Sequence, residues 1–205
     1  MEANEIDKDA LHWYPMRIAY GRAERMQRLQ KLLDEDGIQN FMVWHTEFER
    51  TDDFDVHSNR VPAIDGLIFI RSSQEAITRL KMTRAEYAPM RYYTNRISDR
   101  LTGAMLNKIL VVPDRQMDNF MSIYNRRGDK VALLNYSDFI AKPGKRVRIN
   151  QGDFVNVVGT IKRIKKTQCV VVQLEGLAAM ALAFVPPSWL EEITEDEYRS
   201  FMSKD

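Results

Sequence analysis

The side chains able to do chemistry are few, and their spacing does not suit catalysis. The three histidines, His12, His45 and His57, do not stand at metal-ligand spacings. Asp52, Asp53 and Asp55 form an acidic run, but it lacks the glycine and the terminal glutamate of a calcium loop. Neither a glycine-rich phosphate loop, a nucleophile elbow nor a paired-carboxylate motif can be identified. Cys169, the single cysteine, cannot form an intrachain disulfide, and its place beside Val170, Val171 and Val172 predicts a buried apolar residue. No enzyme, no metal and no cofactor is therefore expected. Positive charge, by contrast, is concentrated. Between Lys142 and Lys166 stand eight basic residues (Lys142, Lys145, Arg146, Arg148, Lys162, Arg163, Lys165 and Lys166) against one acid, Asp153. Such a cluster suits phosphate groups, so binding is the expected chemistry.

The elements that position these charges follow from spacing. Val147, Ile149, Val155 and Val157, then Ile161, Ile164, Val170, Val172 and Leu174, recur largely at period two, punctuated by Gly144, Gly152, Gly159 and Gly176. Short strands joined by tight turns, a small β-barrel over 142–195, are predicted. The acidic tail that follows, with Glu191, Glu192, Glu195, Asp196 and Glu197, is expected to add one strand or helical turn and then fray.

In the first half, residues 1–10 read as a disordered lead-in. LHWYPMRIAY then reads as a strand, with Tyr14, Met16, Ile18 and Tyr20 on a core face and Trp13, Pro15, Arg17 and Ala19 on the other. Gly21 turns the chain into a helix that buries Met26, Leu29, Leu32 and Leu33 and carries Arg22, Arg25, Arg28 and Lys31 on its remaining surface, with Gly37 as its stop. Residues 38–45 form a second strand, and the polar stretch after it is expected to be a mobile surface loop. DGLIFIRS is a third strand with Leu67 and Phe69 on one face and Ile68 and Ile70 on the other, so both faces need cover, from the chain's own helices or from a partner.

Ser73 opens a short helix, MRYYTN a further strand, and residues 95–113 a turn-rich excursion returning through ILVV. A Pro113-led helix follows, with Met117, Phe120, Met121 and Tyr124 at i, i+3, i+4 and i+7. The sum, β-α-β-β-α-β-α, predicts an α+β chain: a small antiparallel sheet flanked by helices over 11–126, a linker or ordered arm over 127–141, and the barrel.

With 205 residues and 44% hydrophobic content, the chain is long enough for two modest cores or one larger one. Its 30 basic and 29 acidic side chains leave a net charge of +1, so attraction to nucleic acid must come from uneven distribution. No apolar run approaches membrane-spanning length and the acidic start is unlike a secretory signal. A soluble, cytoplasmic protein with no membrane partner is expected.

These residues also carry a resemblance. The strand VRI, the Gly-x-Phe turn of Gly152 and Phe154, Gly159 at the next bend, the basic hairpin KRIKK and the strand VVVQL resemble a KOW motif. WYPMRIAYGRAERMQRLQKLL is similar to the Trp-Tyr strand, glycine turn and first helix of a NusG N-terminal (NGN) domain. VPAIDGLIFIR stands where that family has its Pro-Gly-Tyr strand, and VVPDRQMDNFMSI where its last helix lies. Together with the ending LEGLAAMALAFVPPSWLEEI, the chain resembles most the UpxY-type NusG paralogues, antiterminators encoded with capsular polysaccharide operons in Bacteroides-like bacteria.

The resemblance implies a transcription elongation and antitermination factor. Its NGN domain would bind the clamp helices of RNA polymerase through a bare sheet face, here Pro15, Arg17, Leu67 and Phe69 with Tyr92 (or its neighbour Tyr93) and Val112. Arg22, Arg25, Arg28 and Lys31 would meet nontemplate or upstream DNA, or nascent leader RNA. The KOW barrel would take a small-subunit ribosomal protein or Rho through Gly152 and Phe154, with Lys162, Arg163, Lys165 and Lys166 nearby. Two positions depart from the family: Asp153 replaces a proline and Asn156 a small residue, which fits a specialised paralogue. A ribosome-associated or free RNA-binding KOW protein is the alternative, since the same cations bind RNA phosphates unaided.

Overall fold

A computed structural model describes residues 10–19, 21–50, 56–98, 103–126, 131–134, 144–164, 166–174 and 177–203. The fold is α+β, and the chain divides into two compact units, Met1–Val112 and Pro113–Asp205.

The first unit runs β1 (His12–Ile18), α1 (Ala23–Glu35), β2 (Asn40–Phe41), β3 (Trp44–Arg50), β4 (Val56–Pro62), β5 (Leu67–Ser72), α2 (Gln74–Thr83), β6 (Met90–Tyr92), β7 (Thr94–Ser98) and β8 (Met105–Ile109). Four of these strands form an antiparallel sheet in the order β2-β5-β1-β6, the split βαβ arrangement. Tyr14, Met16 and Ile18 of β1 and Ile68 and Ile70 of β5 share one core with Met26, Leu29 and Leu33 of α1 and Ile77 of α2. The helix boundaries fall where the residues place them. Gly37 adopts a φ of +69°, its N–H donates to Asp34, and the Ile38 N–H reaches back to the Leu33 carbonyl at 2.8 Å, which closes α1 in a Schellman turn. Ser73 caps α2 by accepting from the Ala76 N–H at 3.1 Å.

Two polar stretches depart from expectation. Trp44–Arg50 and Val56–Pro62 pair as the antiparallel strands β3 and β4, where a loop was expected; the acidic run at 52, 53 and 55 lies outside the described residues. The alternation of Trp44, Thr46 and Phe48 with His45, Glu47 and Glu49 has period two, but polarity on both faces hides it. The excursion before Pro113 is likewise a hairpin, β7 on β8.

The second unit holds α3 (Asp114–Asn125), β9 (Val131–Leu134), β10 (Arg146–Ile149), β11 (Val158–Ile164), β12 (Thr167–Leu174), β13 (Ala178–Ala183), a 3-10 turn at Pro187–Trp189, β14 (Leu190–Glu192) and a last helix, α4 (Glu195–Ser203). Its strands form an antiparallel sheet in the order β14-β10-β11-β12-β13-β9. The division between units thus falls before the Pro113-led helix rather than after residue 126. A buried amide ties this helix to the second unit: Asn119 of α3 donates to the Val158 carbonyl at 2.8 Å and accepts from the Val158 N–H at 3.0 Å, which satisfies backbone groups of β11 as a neighbouring strand would. Within 127–141, Val131–Leu134 is an ordered arm paired with β13.

The tail does not fray after one turn. Thr194 and Glu197 form a reciprocal capping box, and Tyr198 is buried with Ile193 and Val158. The Arg146 guanidinium lies 4.0 Å from the Tyr198 ring centroid and donates to Glu195 at 2.9 Å. Arg146 holds the Glu195 carboxyl below its ordinary value of 4.5, and the Thr194 backbone N–H, then its hydroxyl, does the same for Glu197. Carboxyls depressed in the folded state contribute stability that is complete above 4.5 and lost as pH falls through their folded values. Amide-exchange protection over 194–203 is therefore expected to collapse on acidification before that of β11 and β12, and Glu195→Gln should blunt the response. Equal pH dependence in helix and sheet would contradict this.

Candidate interaction surfaces

The six residues expected to form a bare polymerase-docking face fall otherwise. The parity itself holds: Pro15 pairs with Phe69 and Arg17 with Leu67, so these four share one side of the sheet. That side is not bare. Leu67 is 3% exposed and Phe69 0%, Pro15 and Val112 are buried, and Val112 bridges to Trp13. Phe69 also packs on Phe41, with ring centroids 6.3 Å apart. Of the four, only Arg17 is exposed. Tyr92 is displaced to the opposite face: it pairs with Met16, stands edge-on to Tyr14 and packs against the helix-covered core. Burial pushes its hydroxyl up to about 12, and that hydroxyl donates to the Gln74 carbonyl at 3.4 Å. A strand apolar on two faces is covered on two faces, which accounts for Leu67 and Phe69, while the register of Tyr92 with Met16 turns Tyr92 to the core side.

The basic stripe on α1 is in solvent: Arg22, Arg25, Arg28 and Lys31 are all exposed. Lys31 is engaged with Glu35 at 3.7 Å, and Arg25 donates to the Ala19 carbonyl at 3.0 Å. Beside the stripe lies a groove of about 360 Å³, lined by Arg25 and Arg28 and by Ile18, Leu29, Leu32 and Pro89.

In the second unit the Gly152–Phe154 turn borders a hollow of about 140 Å³. Ile149, Phe154, Leu182, Phe184, Val185 and Trp189 line it together with the polar Gln151 and Asp153. Gly152 has a φ of +79°, and a Cβ there would fall 2.5 Å from the Trp189 ring, so only glycine lets the indole lie against the turn. Arg126 fixes the turn by donating to the Asp153 carbonyl. Across the hollow stands Phe184, 73% exposed and at a φ of +58°. A bulky residue at positive φ costs about 1–2 kcal/mol, and a large aromatic in water loses hydrophobic stabilisation. Both costs at one residue mark a site kept for something other than stability. Phe184, Leu182 and Trp189 were not among the residues expected here; the signal for them is an aromatic set between the end of a strand and Pro186-Pro187.

The basic hairpin is less of a patch than its sequence implies. Lys162 pairs with Cys169 and Arg163 with Gln168, so neighbours in the chain point to opposite faces. Lys162 is half-buried, and burial with the nearby Arg146 lowers its pKa. Arg163 and Lys166 are exposed, whereas Lys165 lies outside the described residues. Cys169 is buried as expected, and burial raises its thiol pKa.

Among the described residues no cluster of histidine, cysteine and carboxylates could hold a metal ion, and no helix is long and apolar enough to cross a membrane. No protein-family model matches the chain, and a comparison with curated proteins found no match either.

Proposed function

We propose that the protein is a non-catalytic, cytoplasmic transcription elongation and antitermination factor of the NusG type, with an NGN domain in its first half and a KOW barrel in its second. The observation that carries this reading is the hollow beside the Gly152–Phe154 turn, with an exposed, strained Phe184 facing it. It gives the second unit an apolar receptor for a protein partner, at the turn where the resemblance puts one. The split βαβ sheet and the exposed basic face of α1 agree with a first unit that meets nucleic acid while riding on RNA polymerase.

The Leu67–Phe69 face is buried and is not a docking patch; of that set only Arg17 remains in solvent. The mechanism needs no bond chemistry. A factor that binds the elongating polymerase better than the paused one shifts that equilibrium by its differential affinity, and about 3 kcal/mol changes it more than a hundredfold. The test is single-round transcription through the leader of a polysaccharide-biosynthesis operon from the same genome. Added protein should raise read-through and shorten pauses; unaltered pausing would end the reading.

The closure of that sheet face favours a second reading, a free or ribosome-associated RNA binder acting through Arg163, Lys166 and the α1 stripe. It predicts salt-sensitive retention on RNA alone.

A further inference from the structure

The β7–β8 ribbon has no part in the reading above, yet it is built in an unusual way for a surface hairpin. Its five rungs pair Thr94 with Ile109, Asn95 with Lys108, Arg96 with Asn107, Ile97 with Leu106 and Ser98 with Met105. Ile109, at the base, packs against the core of the first unit, whereas every described side chain beyond it, Asn95, Arg96 and Ser98 on one strand and Ala104 to Lys108 on the other, is exposed.

Two successive rungs each couple an amide to a cation. Cross-strand partners share a face and successive residues alternate, so one face presents Asn95 with Lys108 and the other Arg96 with Asn107. No acidic side chain stands among the described residues of the ribbon, and no ion pair among the described residues engages Arg96 or Lys108. Farther out, Met105 is 63% and Leu106 49% exposed.

A polyanion with hydrogen-bonding edges and an apolar interior matches that sequence of groups. Cations neutralise phosphates, amides read groove edges, and Met or Leu wedges against the faces of stacked bases. A two-stranded ribbon fits a groove of duplex DNA, whereas the A-form major groove of RNA is too narrow for it.

We propose that the β7–β8 ribbon is a double-stranded-DNA-binding arm, with Asn95, Arg96, Asn107 and Lys108 on the phosphates and groove edges and Met105 and Leu106 wedged against the base stack. The proposal does not depend on polymerase binding and stands or falls separately from it.

The test uses the full chain and a short A·T-rich duplex labelled at both ends, with anisotropy reporting binding over a salt series and energy transfer reporting bending. Arg96→Ala with Lys108→Ala should weaken binding and make the slope of log affinity against log salt shallower by about two. Met105→Ser with Leu106→Ser should keep that slope and abolish bending. Asn95→Ala with Asn107→Ala, a second variant of exposed residues, should weaken binding with the slope unchanged. A control lacking Arg22, Arg25 and Arg28 should still bend the duplex. An unchanged salt slope in the first variant overturns the proposal, as does an equal loss on single-stranded RNA of the same sequence. So does undiminished bending of the duplex by the Met105 and Leu106 variant.

Discussion

Phe69→Ala is expected to destabilise the chain by about 3–5 kcal/mol, the range for removing a buried aromatic and leaving its cavity. The side chain is fully buried in β5, beside Phe41 and across from Pro15, so nothing flexible is positioned to fill the space. Phe69→Glu should be worse, because a carboxylate would lose its hydration with no partner to replace it. Urea unfolding followed by circular dichroism measures both. A surface docking residue would behave in the opposite way, with stability intact and partner binding lost. A loss below about 0.5 kcal/mol, typical of surface substitutions, would put Phe69 back on the surface.

Phe184→Gly separates binding from stability in the other direction. Glycine adopts positive φ without strain, so relief of the backbone offsets its greater entropy in the unfolded chain and net stability should change little. Binding of the second unit's partner should fall by at least about 2 kcal/mol, roughly thirtyfold, if this ring is a central anchor. Calorimetry with a purified small-subunit ribosomal protein, and in parallel with Rho, reads the change. Equal affinity of variant and parent for whichever protein binds would remove the hollow as the receptor.

The contrast between these residues explains what could be read in advance. Side-chain direction along a strand is a local property, so the placing of Pro15 with Arg17, and of Leu67 with Phe69, followed from alternation, whereas their pairing across strands did not. Whether that face meets water is decided by the rest of the chain, and no local pattern reports it. The ends of α1 and α2 were legible because Gly37 and Ser73 act on backbone groups a few residues away. The β3–β4 and β7–β8 ribbons were not, because each anchors in the core only at its base, through Trp44 and Ile109, and is mostly polar on both faces beyond it, so apolar alternation is too short to reveal it. Asn119 was invisible for a related reason: a buried amide that completes a distant strand looks, in sequence, like one more polar position on a helix.

The hollow was half legible. Gly152 and Phe154 announce a turn, but Phe184, which follows β13, and Trp189, which precedes β14, come to it from far along the sequence. Tyr198 and Arg146 show the same limit, since their contact joins the last helix to β10 across most of the second unit's length.

The most direct test of the account is retention of the full chain on immobilised core RNA polymerase freed of RNA and treated with nuclease. An elongation factor stays bound, in stoichiometric amount, with no nucleic acid present. Release by nuclease, with recovery only when RNA or ribosomes are returned, would contradict the account and leave an RNA-binding protein in its place.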